Sequence, residues 1–150
     1  MRSGRGGPPL GQNVAVSDVP EPPPSETYTY TSDERRPIEI LVFDVDPTDV
    51  EEFLRVDHEV WTLGEANTPG YEGIPFEYKE VWLNDHRPGR ITIVFVWPDR
   101  ASWEAVDQPE FQRRLTEAFD RRFTRPYKLV RAIHDEENMG LHRWSRFERS

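Results

Sequence analysis

The chain predicts an α+β fold: a ferredoxin-like split-βαβ sheet, β-α-β-β-α-β, with its helices on one face. Three observations predict it. Patterned segments between Pro37 and His134 run in the order strand, helix, strand, strand, helix, strand. Two of the strand-like runs are apolar on both faces, so both faces are expected to be buried. Helix-start and turn residues punctuate the boundaries between the runs.

The first strand is expected over Ile38 to Val45, where Ile38, Ile40 and Val42 alternate with Leu41, Phe43 and Val45. Asp46-Pro47-Thr48-Asp49 then opens a helix, with Asp46 as N-cap and Pro47 at the first helical position. That helix runs to about Ala66 on a stripe of Val50, Phe53, Leu54, Val60 and Trp61, and Asn67-Thr68-Pro69-Gly70 stops it. The second strand is expected over Phe76 to Leu83 and the third over Ile91 to Trp97. The polar turn Asn84 to Gly89 joins them as a hairpin. A short helix follows Pro98-Asp99. Asp107-Gln108-Pro109-Glu110 resembles a capping box for a longer one, whose stripe is Phe111, Leu115, Ala118, Phe119 and Phe123. Tyr127 to Ile133 is the last strand.

Composition assigns the ends. Residues 1 to 36 hold six of the fourteen prolines and, beyond the start Met, a single member of the Leu/Ile/Phe/Trp/Met set, Leu10. Such a segment cannot bury enough apolar surface to offset its ordering entropy, so a disordered extension is expected there. The domain is placed at 37–134, and residues 135–150 form a tail with Leu141, Trp144 and Phe147 three apart. The net charge is −9, with acids interleaved among the arginines, which argues against a nucleic-acid partner. Cysteine is absent, so neither disulfides nor thiolate metal sites are expected, and the four scattered histidines give no metal spacing. Arg2 and Arg5 precede no apolar region, and no apolar run nears the ~20 residues a membrane span needs. A cytoplasmic location is the expectation.

Several stretches carry a family likeness: Ile38-Glu39-x-Leu41, Asp57-x-Glu59-Val60-Trp61-Thr62 and Pro69-Gly70-Tyr71-x-Gly73. Lys79-Glu80-Val81-Trp82-Leu83-Asn84 and Val94-Phe95-Val96-Trp97-x-x-Arg100-x-x-Trp103 add to it. Through these the chain, over about residues 37 to 133, resembles the dimeric α+β-barrel superfamily named for antibiotic-biosynthesis monooxygenases. Within it the likeness is to a family of small proteins described mainly from cyanobacteria. The resemblance implies a homodimer in which two four-stranded sheets pack face to face with the helices outside. The residue pattern points the same way, since an apolar sheet face without helices needs a cover; tails folded back over it are the other candidate cover. The resemblance implies no cofactor. Haem-degrading members bring an Asn, a Trp and a His together inside the barrel, and this chain has no Asn in its first strand to match that set.

Asp57 is the anomaly in the first helix, a carboxylate within an apolar stripe. It reads either as a pocket acid or base, or as an edge residue paired with an arginine. Trp82 and Trp97, on strands near the barrel interior, are candidates to line a ligand cavity, together with Tyr78 and Trp61. No phosphate loop, serine elbow or His-Glu-x-x-His occurs. Two functions fit. One is a cofactor-independent, monooxygenase-like enzyme or binder acting on a small aromatic compound. The other is a non-catalytic assembly module that docks a protein partner through its acidic Pro-rich and aromatic tails.

Overall fold

The computed structural model describes residues 19–24 and 27–150. It divides into two units, Ser32–Ser145 and a smaller one built from the chain's two ends. In the smaller unit, β1 (Tyr28–Thr31) pairs antiparallel with β7 (Arg146–Arg149), and the rings of Tyr28 and Phe147 stack at 4.7 Å. Composition predicts disorder over residues 1–36 and a tail over 135–150; Tyr28–Thr31 is instead a strand. A ladder with a distant segment supplies what the local composition lacks. Residues 1–18, 25 and 26 of that extension lie outside the described residues.

The larger unit carries an antiparallel sheet of β2 (Arg36–Val45), β3 (Tyr78–Leu83), β4 (Arg90–Val96) and β5 (Tyr127–Ala132). The order is β3-β4-β2-β5, the ferredoxin-like order, and the two-residue β6 (His142–Arg143) adds to the start of β2. Register places Leu41 opposite Ile93 and Phe43 opposite Ile91. It also places Lys79 opposite Phe95. β3 starts later than the alternation suggests, because Phe76 leaves the ladder to pack edge-on against Phe95 and Trp97.

The expected first helix is one helical run with three geometries. A 3₁₀ turn (Pro47–Asp49) leads into α1 (Val50–Val56), a π-helical stretch (Asp57–Thr62) and α2 (Leu63–Ala66). Asp46 caps its start, accepting from the Thr48 amide at 2.9 Å. In the π stretch the Leu63 amide donates to the His58 carbonyl five residues back. Gly64 lets α2 approach its neighbour, because a Cβ there would stand 2.7 Å from Leu115 Cδ2. Asp99 caps α3 (Arg100–Val106) by accepting from Ser102 N. α4 (Pro109–Arg122) has no capping box: Gln108 is its N-cap and makes no side-chain cap bond. Pro109 at the first position removes one of the amides such a cap would serve. α5 (Ile133–Glu136) follows β5 directly.

The helices cover a single face of the sheet. Phe53, Val56 and Val60 from the first helical run, Trp103 and Val106 from α3, and Phe111, Phe119 and Phe123 from α4 or its end pack with Ile91, Ile93 and Phe95. Phe53 is the hub, with ring centroids 5.3–5.9 Å from Phe119, Phe123 and Tyr127 and 5.4 Å from Phe43. The other face presents Ile38, Ile40, Val42, Val94 and Val96, with Tyr78, Glu80 and Trp82 on the edge strand. Val42, Val94 and Val96 are buried by their neighbours, so the open apolar surface is smaller than the alternation implies, and Trp82 is its largest member at 56 % exposure. Arg143 closes one corner, donating to Tyr78 Oη at 3.3 Å and to Glu34 Oε2 at 2.7 Å.

Candidate functional site

Between the helices and the sheet lies a cavity of about 530 Å³. Its size suits a small organic molecule. Its apolar wall is largely aromatic: Phe43, Phe53, Trp61, Phe95, Phe119 and Tyr127. Its polar wall comes from five carboxylates, Glu39, Asp57, Glu65, Asp107 and Asp135, with Lys79, Gln112 and Thr116.

The first helical run supplies one side by simple spacing. Phe53, Asp57, Trp61 and Glu65 recur every four residues and all line the cavity. Asp57 lines the cavity, and its ionic partner is a lysine. Lys79 Nζ, from β3, stands 2.5 Å from Asp57 Oδ2 and 2.5 Å from Thr62 Oγ1. The two side chains are 8 % and 7 % exposed, so this is a buried ion pair. The lysine also lies over the Phe95 ring, 5.2 Å from its centroid.

Two further carboxyls, neither singled out by sequence pattern, face the same space. Glu65 in α2 is buried and accepts from Gln112 Nε2 at 3.1 Å. Burial pushes its carboxyl up to about 7; the Gln112 hydrogen bond and the Lys79 charge oppose the rise, and Asp57 adds to it. Glu39 in β2 accepts from Trp97 Nε1 at 3.3 Å. Burial, reinforced by repulsion from Glu65, pushes it up to about 8, against the hydrogen bond from Trp97. A third group, Tyr127, donates its hydroxyl to Asp120 at 2.6 Å, and burial with that contact raises it to about 12.

The four sequence-predicted aromatic candidates do not converge. Trp61 lines the cavity. Trp97 lies in the core at 1 % exposure, stacked between Phe95 and Trp103 at 5.5 and 5.8 Å, and meets the site through Phe95 and its bond to Glu39 without lining the cavity. Trp82 and Tyr78 lie on the face turned away from the helices. The expectation that Trp82 and Trp97 share a barrel interior is thus corrected: strand alternation puts position 82 on one face, and position 97 follows Phe95 onto the other. Sequence pattern alone cannot assign the helices to a face.

The chemistry available is acid–base. Two carboxyls titrate near neutrality in an aromatic chamber, beside an ammonium neutralised by a carboxylate. Among the described residues, no group of three His, Asp or Glu side chains is placed to hold a metal ion. Nor, among them, is any helix long and apolar enough to cross a membrane.

No family model matches the chain. No curated protein matches it either. Solved structures do. SnoaB, a cofactor-independent oxygenase from Streptomyces nogalater, is 20 % identical, with 65 % of this chain and 93 % of that chain covered at a TM-score of 0.43. MupZ from Pseudomonas fluorescens is 14 % identical, over 66 % of this chain and 69 % of that one, at 0.45. A conserved protein from Methanosarcina mazei Go1 is 14 % identical, over 77 % and 94 %, at 0.40. These are likenesses in the course of the chain.

Proposed function

We propose that the protein takes a small aromatic compound into this cavity and exchanges a proton with it, as a cofactor-independent, monooxygenase-like enzyme. The observation that carries the reading is the enclosure of Glu39 and Glu65, with carboxyls near 8 and 7, inside aromatic walls. A base that titrates near 7 combines availability with basicity at neutral pH. Glu65 is assigned that role, with Gln112 orienting it, and Trp61 and Phe53 hold the ring. In an oxygenation of this kind an activated ring CH₂ loses a proton to Glu65, and the electron-rich ring then reacts with dioxygen. One oxygen atom stays as the ring C=O and the other leaves as water, so CH₂ and O₂ become C=O and H₂O. Phenols and quinones with one to three rings are the compounds to try. At about 100-fold excess over Kd, binding adds ~2.7 kcal/mol of stability, or about 5–10 °C in Tm. Trp61→Ala abolishes the increase in Tm, and Glu65→Gln keeps it while slowing dioxygen uptake by about 10²-fold or more. A panel that leaves the wild-type Tm unmoved defeats the reading.

The same reading includes a homodimer formed by the uncovered sheet face. Support comes from the exposed Trp82 and the incompletely buried Ile38 and Ile40 on that face. A buried Trp contributes about 2–3 kcal/mol. Trp82→Glu is therefore expected to weaken self-association by about 10²-fold or more in sedimentation velocity. Wild-type protein sedimenting as a single subunit at tens of micromolar would remove the dimer.

A further inference from the structure

The cavity's charge is unbalanced in a way that proton exchange alone does not explain. Five carboxyl groups line it, Asp107 and Asp135 exposed to solvent, against one ammonium, and that ammonium is taken up by Asp57. Among the described residues, no lysine or arginine lies within ion-pair distance of Glu39, Glu65, Asp107 or Asp135; the nearest basic group is His134, 3.4 Å from Asp135. Glu65 is 7 % exposed, and its side chain's one hydrogen bond, from Gln112, engages Oε2, leaving Oε1 without a donor. Asp107 and Asp135 are open to solvent and Glu39 is half-buried, so Glu65 carries the largest burial cost; it and Glu39 meet that cost by holding their protons, and a bound cation would let them ionise.

We infer that the ligand of this cavity is an organic cation, a small aromatic amine whose ammonium is held by Glu65 and Glu39 and whose ring lies against Trp61 and Phe53. This inference rests on the cavity being the binding site and narrows its ligand class. Three features select an amine over other cations. Among the described residues, no three of these carboxylates are placed to hold a metal ion. The walls are aromatic and attract ammonium groups through their ring faces. The Lys79 ammonium over Phe95 already shows that arrangement at 5.2 Å.

The rival arrangement uses the same residues with the opposite charge logic. Protonated Glu39 and Glu65 would donate hydrogen bonds to a neutral carbonyl. The two differ in pH dependence. The charged groups near Glu39 and Glu65 are Asp57, Lys79, Asp107 and Asp135, with His134 beside Asp135, so Lys79, already paired with Asp57, and His134 are the basic groups a bound amine competes with. Amine affinity rises from about pH 6 to 9 as the two carboxyls ionise, whereas carbonyl affinity falls.

The test is calorimetric titration of the full chain with three matched probes: 1-naphthylmethylamine, 1-naphthalenemethanol and 1-naphthoate. The amine is expected to bind at least tenfold tighter than the alcohol, and the carboxylate not at all. Glu65→Gln and Glu39→Gln each lower amine affinity about tenfold relative to alcohol affinity. Alcohol binding as tight as amine binding overturns the charge assignment and leaves the cavity reading standing. Amine binding that both variants leave intact also overturns it, since the cation then sits elsewhere on an acidic surface. If none of the three probes binds, the cavity reading and this inference fall together.

Discussion

Replacing Lys79 with methionine lowers the free energy of unfolding by about 3–5 kcal/mol, the usual cost of stranding one member of a buried ion pair. The stranded group is Asp57, 8 % exposed and facing the cavity, with its ionic partner removed. Methionine keeps the length and apolar stem of the lysine, so its contact with Phe95 changes little. Asp57→Asn is milder, because the amide oxygen still accepts from Lys79 beside the Thr62 hydroxyl and the Phe95 ring, but it leaves the ammonium without its opposite charge. The double variant D57N/K79M recovers at least half of the loss, since neither charge remains to be desolvated alone. Urea denaturation of the four proteins closes the cycle. If K79M unfolds at the wild-type midpoint, the pair contributes no stability. If the double variant is as unstable as K79M, the loss comes from packing at position 79 rather than from a stranded charge.

The elements were largely legible in the sequence, because each is fixed by local chemistry. Two-residue alternation marks β2 and β4, the Asp46-Pro47 start marks the first helical run, and the Phe111-to-Phe123 stripe marks α4. Asp57 was legible as well, since a carboxylate between Phe53 and Trp61 contradicts its stripe. Glu65 was there to find by the same rule, four residues after Trp61, and Glu39 shares its parity with Leu41 and Phe43 on an otherwise apolar face. Two things were out of reach. The choice of which sheet face receives the helices depends on the whole packed set, so Trp97 and Trp82 could not be separated. The Lys79–Asp57 pair spans 22 positions and depends on the register of β3 against β4, which no local pattern encodes. The π-helical stretch at Asp57–Thr62 likewise has no sequence mark, though it lies where cavity residues are presented.

Stability should fall as pH rises from about 5 to 8.5, the reverse of what an acidic protein held together by exposed ion pairs would do. In the unfolded chain Glu39 and Glu65 titrate near 4.5, whereas the folded protein holds them near 8 and 7. Between those limits the unfolded state releases protons that the folded state keeps, so each step up in pH favours unfolding. The contribution is complete below pH 4.5 and is lost progressively up to about pH 8. Every tenfold gap between folded and unfolded proton affinity is worth ~1.4 kcal/mol, so independent titration of the two carboxyls would amount to several kcal/mol. Their mutual repulsion makes them titrate as a pair, so a loss of about 3 kcal/mol is expected between about pH 5 and 8.5. That corresponds to a fall of about 6–12 °C in Tm. Glu39→Gln removes the more strongly raised carboxyl and relieves Glu65 of a repelling neighbour. It therefore flattens most of the slope and stabilises the protein at about pH 8.5. Below pH 4.5 the sign reverses: Asp44, Glu52 and Glu110 are held below the usual carboxylate range by hydrogen bonds from Arg90, Arg55 and Arg113, and protonation removes what those contacts contribute. Denaturant midpoints at about pH 5, 6, 7 and 8.5 for wild type and E39Q measure the effect. A wild-type midpoint that holds level or climbs across that range would mean that neither carboxyl is confined as the cavity confines it.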